Sequence, residues 1–312
     1  AADDGKRQPR GLRMEAGHIQ GAQRTRDLGR DGEGVQAAAS PCVSATREQL
    51  DGDAPLDASK RTPYRAVVAR ANYLASDRQE LQFLAKEVCR WMSSPTDVSL
   101  AALKRLGRYV HDHRRLVYHH PWQTVSRVDT YSDTDWAGCV KTRKSTSGGC
   151  TMLGQHLIKS WSSTQASVSL SSGESEFYAA IKGAAVLLGA QSLARDLGKE
   201  FKARLGTDSS AAKGMCGRRG LGAVRHLETQ YLWIQQAVRL RRVDLRQVAG
   251  DVNPADLFTK HSLTRERLIG LTKLFELEYR GGRAESAPQT RSSTSGKTTM
   301  AELMSVDIAP GS

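Results

Sequence analysis

Tyr131-Ser132-Asp133-Thr134-Asp135-Trp136-Ala137-Gly138 is the stretch that decides how this chain is read. β-favouring residues lead into it, two carboxylates stand two residues apart, and a small-residue turn follows. On a strand, the two-residue period puts Asp133 and Asp135 on one face. Two like charges side by side repel, so they are solvated, paired with cations or bound to metal. Taken alone, the stretch reads first as two solvated acids at a strand end. A functional reading requires that acids farther along the chain reach the same place.

Downstream, the residues alternate between strand and helix patterns. Val128–Asp135 reads as a strand and Cys139–Gly149 as a Lys/Thr/Ser/Gly turn, with Gly148-Gly149 giving backbone freedom. Cys150–Leu157 and Leu157–Ser163 read as a hairpin turning near Gly154-Gln155, with Val168–Leu170 extending its second arm. Phe177, Ile181, Ala184 and Leu188 then mark one face of a strong helix that stops near Gly198. At its start, Ser171-x-x-Glu174 forms a capping box, which gives Glu174 a task at the backbone. Glu176 lies about 200° around the helix from Glu174, at roughly 100° per residue, and is not used by the cap. Phe201–Thr207 is a short strand ending at Asp208, and Arg225–Leu240 reads as a helix. Val243–Val248 is a strand, and Asn253-Pro254 starts a helix with Asp256 in its first turn. Leu268–Leu277 supports a last helix.

Upstream, Thr62–His120 reads as helical in three pieces, broken at Ser94-Pro95-Thr96-Asp97, with Asp97 as a cap. His111, His113, His119 and His120 match no standard metal spacing. Residues 1–60 and 281–312 have the polar, Gly- and Ser-rich composition of disordered chain.

The totals narrow the function. The chain has 312 residues and a formal charge of +13, enough for a core in one or two domains and suited to a polyanionic partner. Arg218, Arg219, Arg225, Arg239, Arg241, Arg242 and Arg246 form an arginine-only group, and the guanidinium fork suits phosphate. The five cysteines are scattered and lack a C-x-x-C pair, which argues against a zinc module or disulfide scaffold and for a reducing compartment. The longest apolar run is too short to span a bilayer, and no signal-peptide pattern is present. An intracellular location, cytoplasm or nucleus, is expected.

Four acids now share a pattern. Asp133 lies in a strand, Glu176 in the first turns of a helix, Asp208 at a strand end and Asp256 at a helix start. In an α/β sheet, strand ends and helix starts converge on one rim. Singly, each acid has a plainer reading: Asp208 a cap, Asp256 a partner of the helix dipole, Glu176 a solvated residue. Together, as oxygen-only donors, they favour Mg²⁺ or Mn²⁺, and two such ions clamp a phosphodiester and activate water.

The segments 131–138, Arg-Lys-Ser-Thr-Ser-Gly-Gly (143–149), Ser-Trp-Ser-Ser-Thr-Gln (160–165) and Leu-Ser-Ser-Gly-Glu-Ser-Glu-Phe-Tyr-Ala-Ala (170–180) resemble the ribonuclease H domain of copia-type LTR retrotransposon Pol polyproteins. So do Thr-Asp-Ser-Ser-Ala-Ala (207–212), Arg-His-Leu-Glu-Thr-Gln-Tyr-Leu-Trp-Ile (225–234) and Asn-Pro-Ala-Asp-Leu-Phe-Thr-Lys (253–260), in the same order. The resemblance implies an α/β, RNase H-like fold, a mixed five-stranded sheet flanked by helices and preceded by a small helical segment. The expected organisation is a largely disordered segment over 1–60 and a helical reverse-transcriptase connection-like remnant over 61–120. An RNase H domain over 126–262, a C-terminal helix over 263–280 and a disordered tail over 281–312 follow.

The resemblance further implies endonucleolytic hydrolysis of the RNA strand of RNA–DNA hybrids with two Mg²⁺ ions (Mn²⁺ as the alternative), as part of reverse transcription. Asp133, Glu176, Asp208 and Asp256 would be the catalytic, metal-binding acids, with Asp135 and Glu174 flanking them. Lys144, Ser145, Thr146, Ser147, Ser172 and His226 would contact substrate. The implied partners are the hybrid and a reverse transcriptase domain of the same polyprotein, with no membrane. No Tyr-x-Asp-Asp occurs, so polymerase chemistry is not expected of this chain. Two departures stand out: Asp77-Arg78-Gln79-Glu80 in the connecting segment, and a loop, Ala249–Val252, without the histidine of cellular RNases H. The alternative from another class is a catalytically inactive nucleic-acid-binding remnant of a degenerate retroelement. An integrase-like nuclease lacks support, since its zinc-binding His/Cys region is absent.

Overall fold

Capping chemistry and apolar spacing set the first half of the chain. The computed structural model describes residues 12–16, 38–222 and 224–282. Among them, Tyr118–Thr259 and Leu271–Leu277 belong to one unit, and 38–117 and Lys260–Gly270 to another. After strand β1 (Leu12–Ala16) come helices α1 (Arg47–Asp51), α2 (Ala58–Leu74), α3 (Gln82–Cys89) and α4 (Asp97–Asp112). Thr46 opens α1 with a reciprocal box to Gln49, and Asp57 caps α2. Thr96, not Asp97, caps α4: its hydroxyl accepts from the Ser99 amide while Ser99 Oγ takes the Thr96 amide. Asp97 is instead the acid of the first turn, where the helix dipole favours it.

Tyr64, Val67 and Val68 of α2, Phe83, Leu84 and Val88 of α3, and Leu103, Leu106 and Val110 of α4 are buried and form the interior of this unit. The Asp77–Glu80 stretch is a built feature of it. Arg78, 2% exposed, pairs with Glu80 at 2.6 Å and donates to the His113 carbonyl at 2.8 Å. The extra bond to the His113 carbonyl offsets part of the cost of burying the pair.

Three expectations change here. Disorder does not extend over all of 1–60: from Ala38 on, Ala38, Ser40, Cys42 and Leu56 are buried, and Arg105 Nε holds the Ser40 carbonyl at 3.1 Å. The helical segment stops before Arg115–His120, which is strand β2; its Leu116 and Val117 are fully buried, and a β-branched, aromatic run fits a pleat better than a helix. The expected helix over 263–280 is shorter. Helix α8 (Arg265–Lys273) ends, Glu276 takes φ +54°, and strand β8 (Leu277–Arg280) follows. Strands β1, β2 and β8 form a three-stranded sheet in that order. The tail beyond Gly282 lies outside the described residues, as does most of 1–37.

The other unit is built on a five-stranded sheet. Its strands are β3 (Arg127–Asp135), β4 (Thr146–Leu153), β5 (His156–Thr164), β6 (Lys202–Thr207) and β7 (Asp244–Gln247), in the order β5-β4-β3-β6-β7. β3, β4 and β5 pair antiparallel in a meander, while β6 and β7 run parallel to β3. Parallel neighbours need crossovers. Helix α5 (Ser172–Asp196) supplies the one from β5 to β6, and α6 (Ser210–Gly217) with α7 (Trp233–Arg239) the one from β6 to β7. The mixed, helix-flanked α/β sheet expected from the sequence is therefore present. The C-terminal ends of β3, β5, β6 and β7 share one rim, and α5 starts there.

Side-chain alternation sorts the two faces. Gly183 of α5 lies against Thr130, Ser132 and Leu205, so α5 covers the face of the even-numbered residues of β3. Phe177, Ala180, Ala184 and Leu187 join Val128, Leu205 and Ile234 in the core on that side. Helix α5 is long and apolar enough to cross a membrane by length and composition alone, unlike any run weighed in the bare sequence. Its buried face packs on the sheet, as a core helix does.

Gly148 and Gly149 are strand residues of β4 rather than turn residues. A Cβ on Gly148 would lie 2.5 Å from Thr259 Cγ2 and 2.8 Å from Phe258 Cβ, and one on Gly149 would overlap the Trp161 ring. These glycines supply room, not turning. The hairpin does turn at Gly154, φ +62°. Val168–Leu170 adds nothing to β5, and the helix expected over Arg225–Leu240 is confined to a 3-10 turn, Thr229–Leu232, and α7.

Candidate active site

Three carboxylates meet on the rim. Asp133 near the end of β3, Asp208 just past β6 and Asp256 each offer an oxygen, and these oxygens lie within 4.8 Å of one another. Asp133 is 2% exposed, and the other two are partly exposed. At 4.8 Å and an effective dielectric near 20, each ionised pair repels by about 3.5 kcal/mol. A cation relieves this. The group contains only carboxylate oxygens, with no thiolate or imidazole, which is the donor set of a hard divalent ion such as Mg²⁺.

The local sequence explains how each acid arrives. Asp208 follows directly from β6, so the strand itself delivers it. Asp256 sits in the 3-10 turn Pro254–Phe258, which Asn253 opens. Asn253 is fully buried and has two tasks: Oδ1 accepts from the Ala255 amide at 3.1 Å, and Nδ2 donates to the Ser132 carbonyl at 3.2 Å. The cap therefore fastens the Asp256 turn to β3 one residue before Asp133. Thr259, also fully buried, donates its hydroxyl to Asp133 Oδ2. The turn thus grips both the backbone and the carboxylate of β3.

Glu176 is placed differently. It lies in the first turns of α5, on the same rim, and its Oε1 accepts from Thr134 Oγ1 at 2.8 Å. Thr134 and Asp133 are successive strand residues and point to opposite faces. The described three-carboxylate group does not include Glu176, which stands beside it from the α5 face.

Glu174 has the backbone task expected of it, with a shift of one residue. Ser171 Oγ accepts from the Glu174 amide at 3.2 Å, while the Glu174 carboxylate reaches past the cap to the Leu170 amide at 3.0 Å. The same carboxylate, 2% exposed, accepts from or pairs with His226 Nε2 at 3.0 Å. His226 therefore closes over the start of α5. Asp135 folds back against the turn: a Cβ on Gly138 would overlap its carboxylate.

The proposed substrate residues separate into two sets. Ser145, Thr146 and Ser147 are buried, at 0%, 2% and 3% exposure. Ser145 Oγ accepts from the Ala137 amide at 3.0 Å, and Ser147 Oγ accepts from Gln165 Nε2 at 2.9 Å. Their side chains face the interior, not a ligand. Lys144 is partly exposed, and Ser172 and His226 are exposed.

Sequence reasoning passed over Gln165, which the fold uses as a clasp. Buried at 8%, it donates to Ser147 Oγ and to the Ser175 carbonyl, both at 2.9 Å, and accepts from Ser169 Oγ at 2.8 Å. It ties β4, the loop before α5 and the first turn of α5 together. The signal was in plain view, as the last residue of a segment quoted for its resemblance.

Known proteins resemble this chain in part. No family model matches it. It is 38% identical over 128 residues to an uncharacterized mitochondrial protein of Arabidopsis thaliana, an alignment covering 40% of this chain and 52% of that protein. It is 29% identical over 264 residues to the retrovirus-related Pol polyprotein from transposon RE2 of Arabidopsis thaliana, covering 82% of this chain and 18% of the polyprotein. The chain thus spans about half of one curated relative and under a fifth of the other. An N-terminal RNase H domain from Mycobacterium tuberculosis overlaps 48% of this chain and 98% of its own at 14% identity, with a TM-score of 0.29.

Proposed function

We propose that this chain, which aligns with part of the retrovirus-related Pol polyproteins from two Arabidopsis thaliana transposons, is a ribonuclease H region of that kind and that its carboxylate rim hydrolyses the RNA strand of RNA–DNA hybrids. The observation that carries this reading is the meeting of Asp133, Asp208 and Asp256 within 4.8 Å. Nothing in the packing of a sheet requires three acids together, and a bound cation would relieve their repulsion.

Asp133, Asp208 and Asp256 hold divalent metal in this proposal, with Glu176 as the fourth acid approaching from the α5 side. When bound, Mg²⁺ supplies Lewis-acid stabilisation of the phosphodiester and a more acidic water. The chain's own residues do the rest. Thr259 and Asn253 fix Asp133 and the Asp256 turn before substrate arrives, so little reorganisation is needed during reaction. Thr134 keeps the Glu176 carboxylate at the rim. The exposed Arg225 and His226 and the partly exposed Lys144 offer cationic and polar contacts for the backbone of a polyanion. Selection of a hybrid rests on its wide minor groove and 2′-hydroxyls, read by shape.

The test is cleavage of an end-labelled RNA–DNA hybrid by the full chain, with Mg²⁺ and with chelator. Fragments of the RNA strand alone, in Mg²⁺ alone, are expected, and Asp133→Asn is expected to reduce the rate about 1000-fold. Equal cutting by wild type and Asp133→Asn defeats the assignment. Salt-sensitive hybrid binding with no cleavage by wild type favours the inactive-remnant reading instead.

A further inference from the structure

The turn after β3 carries an aromatic side chain that the chemistry above does not use. Trp136 is 47% exposed, although indole is the largest apolar surface a side chain can bury. Its polar edge is already taken: Nε1 donates to the Ser169 carbonyl at 3.1 Å. What it presents to solvent is therefore ring carbon. The ring is also held in place. Ser169 is buried and donates to Gln165, and Gln165 in turn holds the Ser175 carbonyl in the first turn of α5. Trp136 is thus fixed between the end of β3, three residues past Asp133, and the turn that carries Glu176. Leu170 and Val168, exposed at 70% and 45%, lie on either side of Ser169 in sequence. The even more exposed Trp122 is a poor comparison, because Gln123 ties its segment to the β4–β5 turn at the opposite end of the sheet.

We propose that Trp136 is a substrate-binding platform that packs on the sugar faces of the RNA–DNA hybrid across its minor groove and so sets the position of the RNA strand on the carboxylate rim. The occupant follows from position and charge. A polyanion drawn to a basic chain and cut at Asp133 must pass over the turn beside it. A paired duplex keeps its base faces inside the stack, which leaves sugars and groove edges as the apolar surface an exposed ring can meet. The tie to Ser169 fixes the ring beforehand, so binding does not have to immobilise it. This inference rests on the hybrid-cleavage reading.

The experiment compares the full-length wild type, Trp136→Phe and Trp136→Ala, each checked by thermal melting. Cleavage kinetics on a labelled hybrid, and anisotropy of the same hybrid with Ca²⁺ in place of Mg²⁺, give KM, kcat and Kd. Trp136→Ala is expected to raise KM and Kd about tenfold, with kcat changed far less and melting preserved, and Trp136→Phe to fall between. The loss on single-stranded RNA of the same sequence is expected to be smaller than on the hybrid. If Trp136→Ala melts early, the difference in fluorescence quenching by hybrid between wild type and Trp136→Phe gives the answer: quenching of Trp136 supports the platform, and none overturns it. Unchanged KM and Kd in a folded Trp136→Ala also overturns it, as does equal loss on single strand and hybrid. If wild type itself neither binds nor cuts hybrid, the failure belongs to the broader functional reading.

Discussion

Thr259 donates its hydroxyl to Oδ2 of Asp133, joining two fully enclosed side chains that stand 126 residues apart in sequence. The bond takes one lone pair of the carboxylate and fixes its orientation at the rim. Thr259→Val keeps the shape and removes the donor. It is expected to cost about 1–3 kcal/mol in urea denaturation and to weaken Mg²⁺ binding by calorimetry, while Thr259→Ser keeps most of both. Equal Mg²⁺ affinity in wild type and Thr259→Val would show that the hydroxyl does not position Asp133.

Gly148 makes that bond sterically feasible, because Thr259 and Phe258 fill the space its missing side chain leaves. The neighbours are a backbone carbon and a methyl on a pinned turn, which cannot easily withdraw. Gly148→Ala is expected to destabilise by about 1–3 kcal/mol through overpacking and to lower activity by displacing the turn. A melting curve that matches wild type would mean that the turn can shift freely.

Crowded acids tie stability to metal occupancy. Without divalent metal, Asp133→Asn is expected to melt no lower than wild type, because one repelling charge is gone. With Mg²⁺ at a hundred times its dissociation constant, wild type gains about 2.7 kcal/mol and the variant much less. Scanning calorimetry with Mg²⁺ and with chelator checks this; identical shifts in both proteins would place the ion elsewhere.

Lys182 on α5 donates to Ser163 Oγ and is held below the usual lysine range, first by burial and then by Lys159. A lysine whose folded pKa is depressed opposes folding while it is charged. Between the folded and unfolded values the unfolded chain binds more protons, so this penalty fades as pH rises toward about 10. Lys182→Met is therefore expected to raise the melting temperature at pH 7, with the gap closing by pH 10. A constant gap would assign the gain to packing rather than charge.

Much of the fold was legible because its signals are local. The β-favouring run of β3, the Gly154 turn and the Ser171 cap each depend on a few neighbouring side chains, and each appears where expected. The errors arose where tertiary packing overrides local preference. Gly148-Gly149 reads as a turn in isolation, and only Phe258, Thr259 and Trp161 reveal it as a strand shaped for its neighbours. Arg225–Leu240 has helical spacing, yet His226 is drawn to the buried Glu174 and the helix starts later. The acids Asp133, Asp208 and Asp256 were legible as element ends, and the structure brings an oxygen of each within 4.8 Å of the others. The displacement of Glu176 toward Thr134 was not legible, because it depends on which face α5 covers.

The Asn253 link to the Ser132 carbonyl has a consequence for how such sequences decay. The sheet from β3 to β7 and the arginine-bearing surface precede it in the chain, whereas Asp256 and Thr259 follow it. A shortened copy ending just before Asn253 would still encode every strand of that sheet, yet lose a third of the carboxylate group and the hydroxyl that sets Asp133. If the proposed function holds, erosion from that end would remove the cutting chemistry while every strand of the sheet was still encoded.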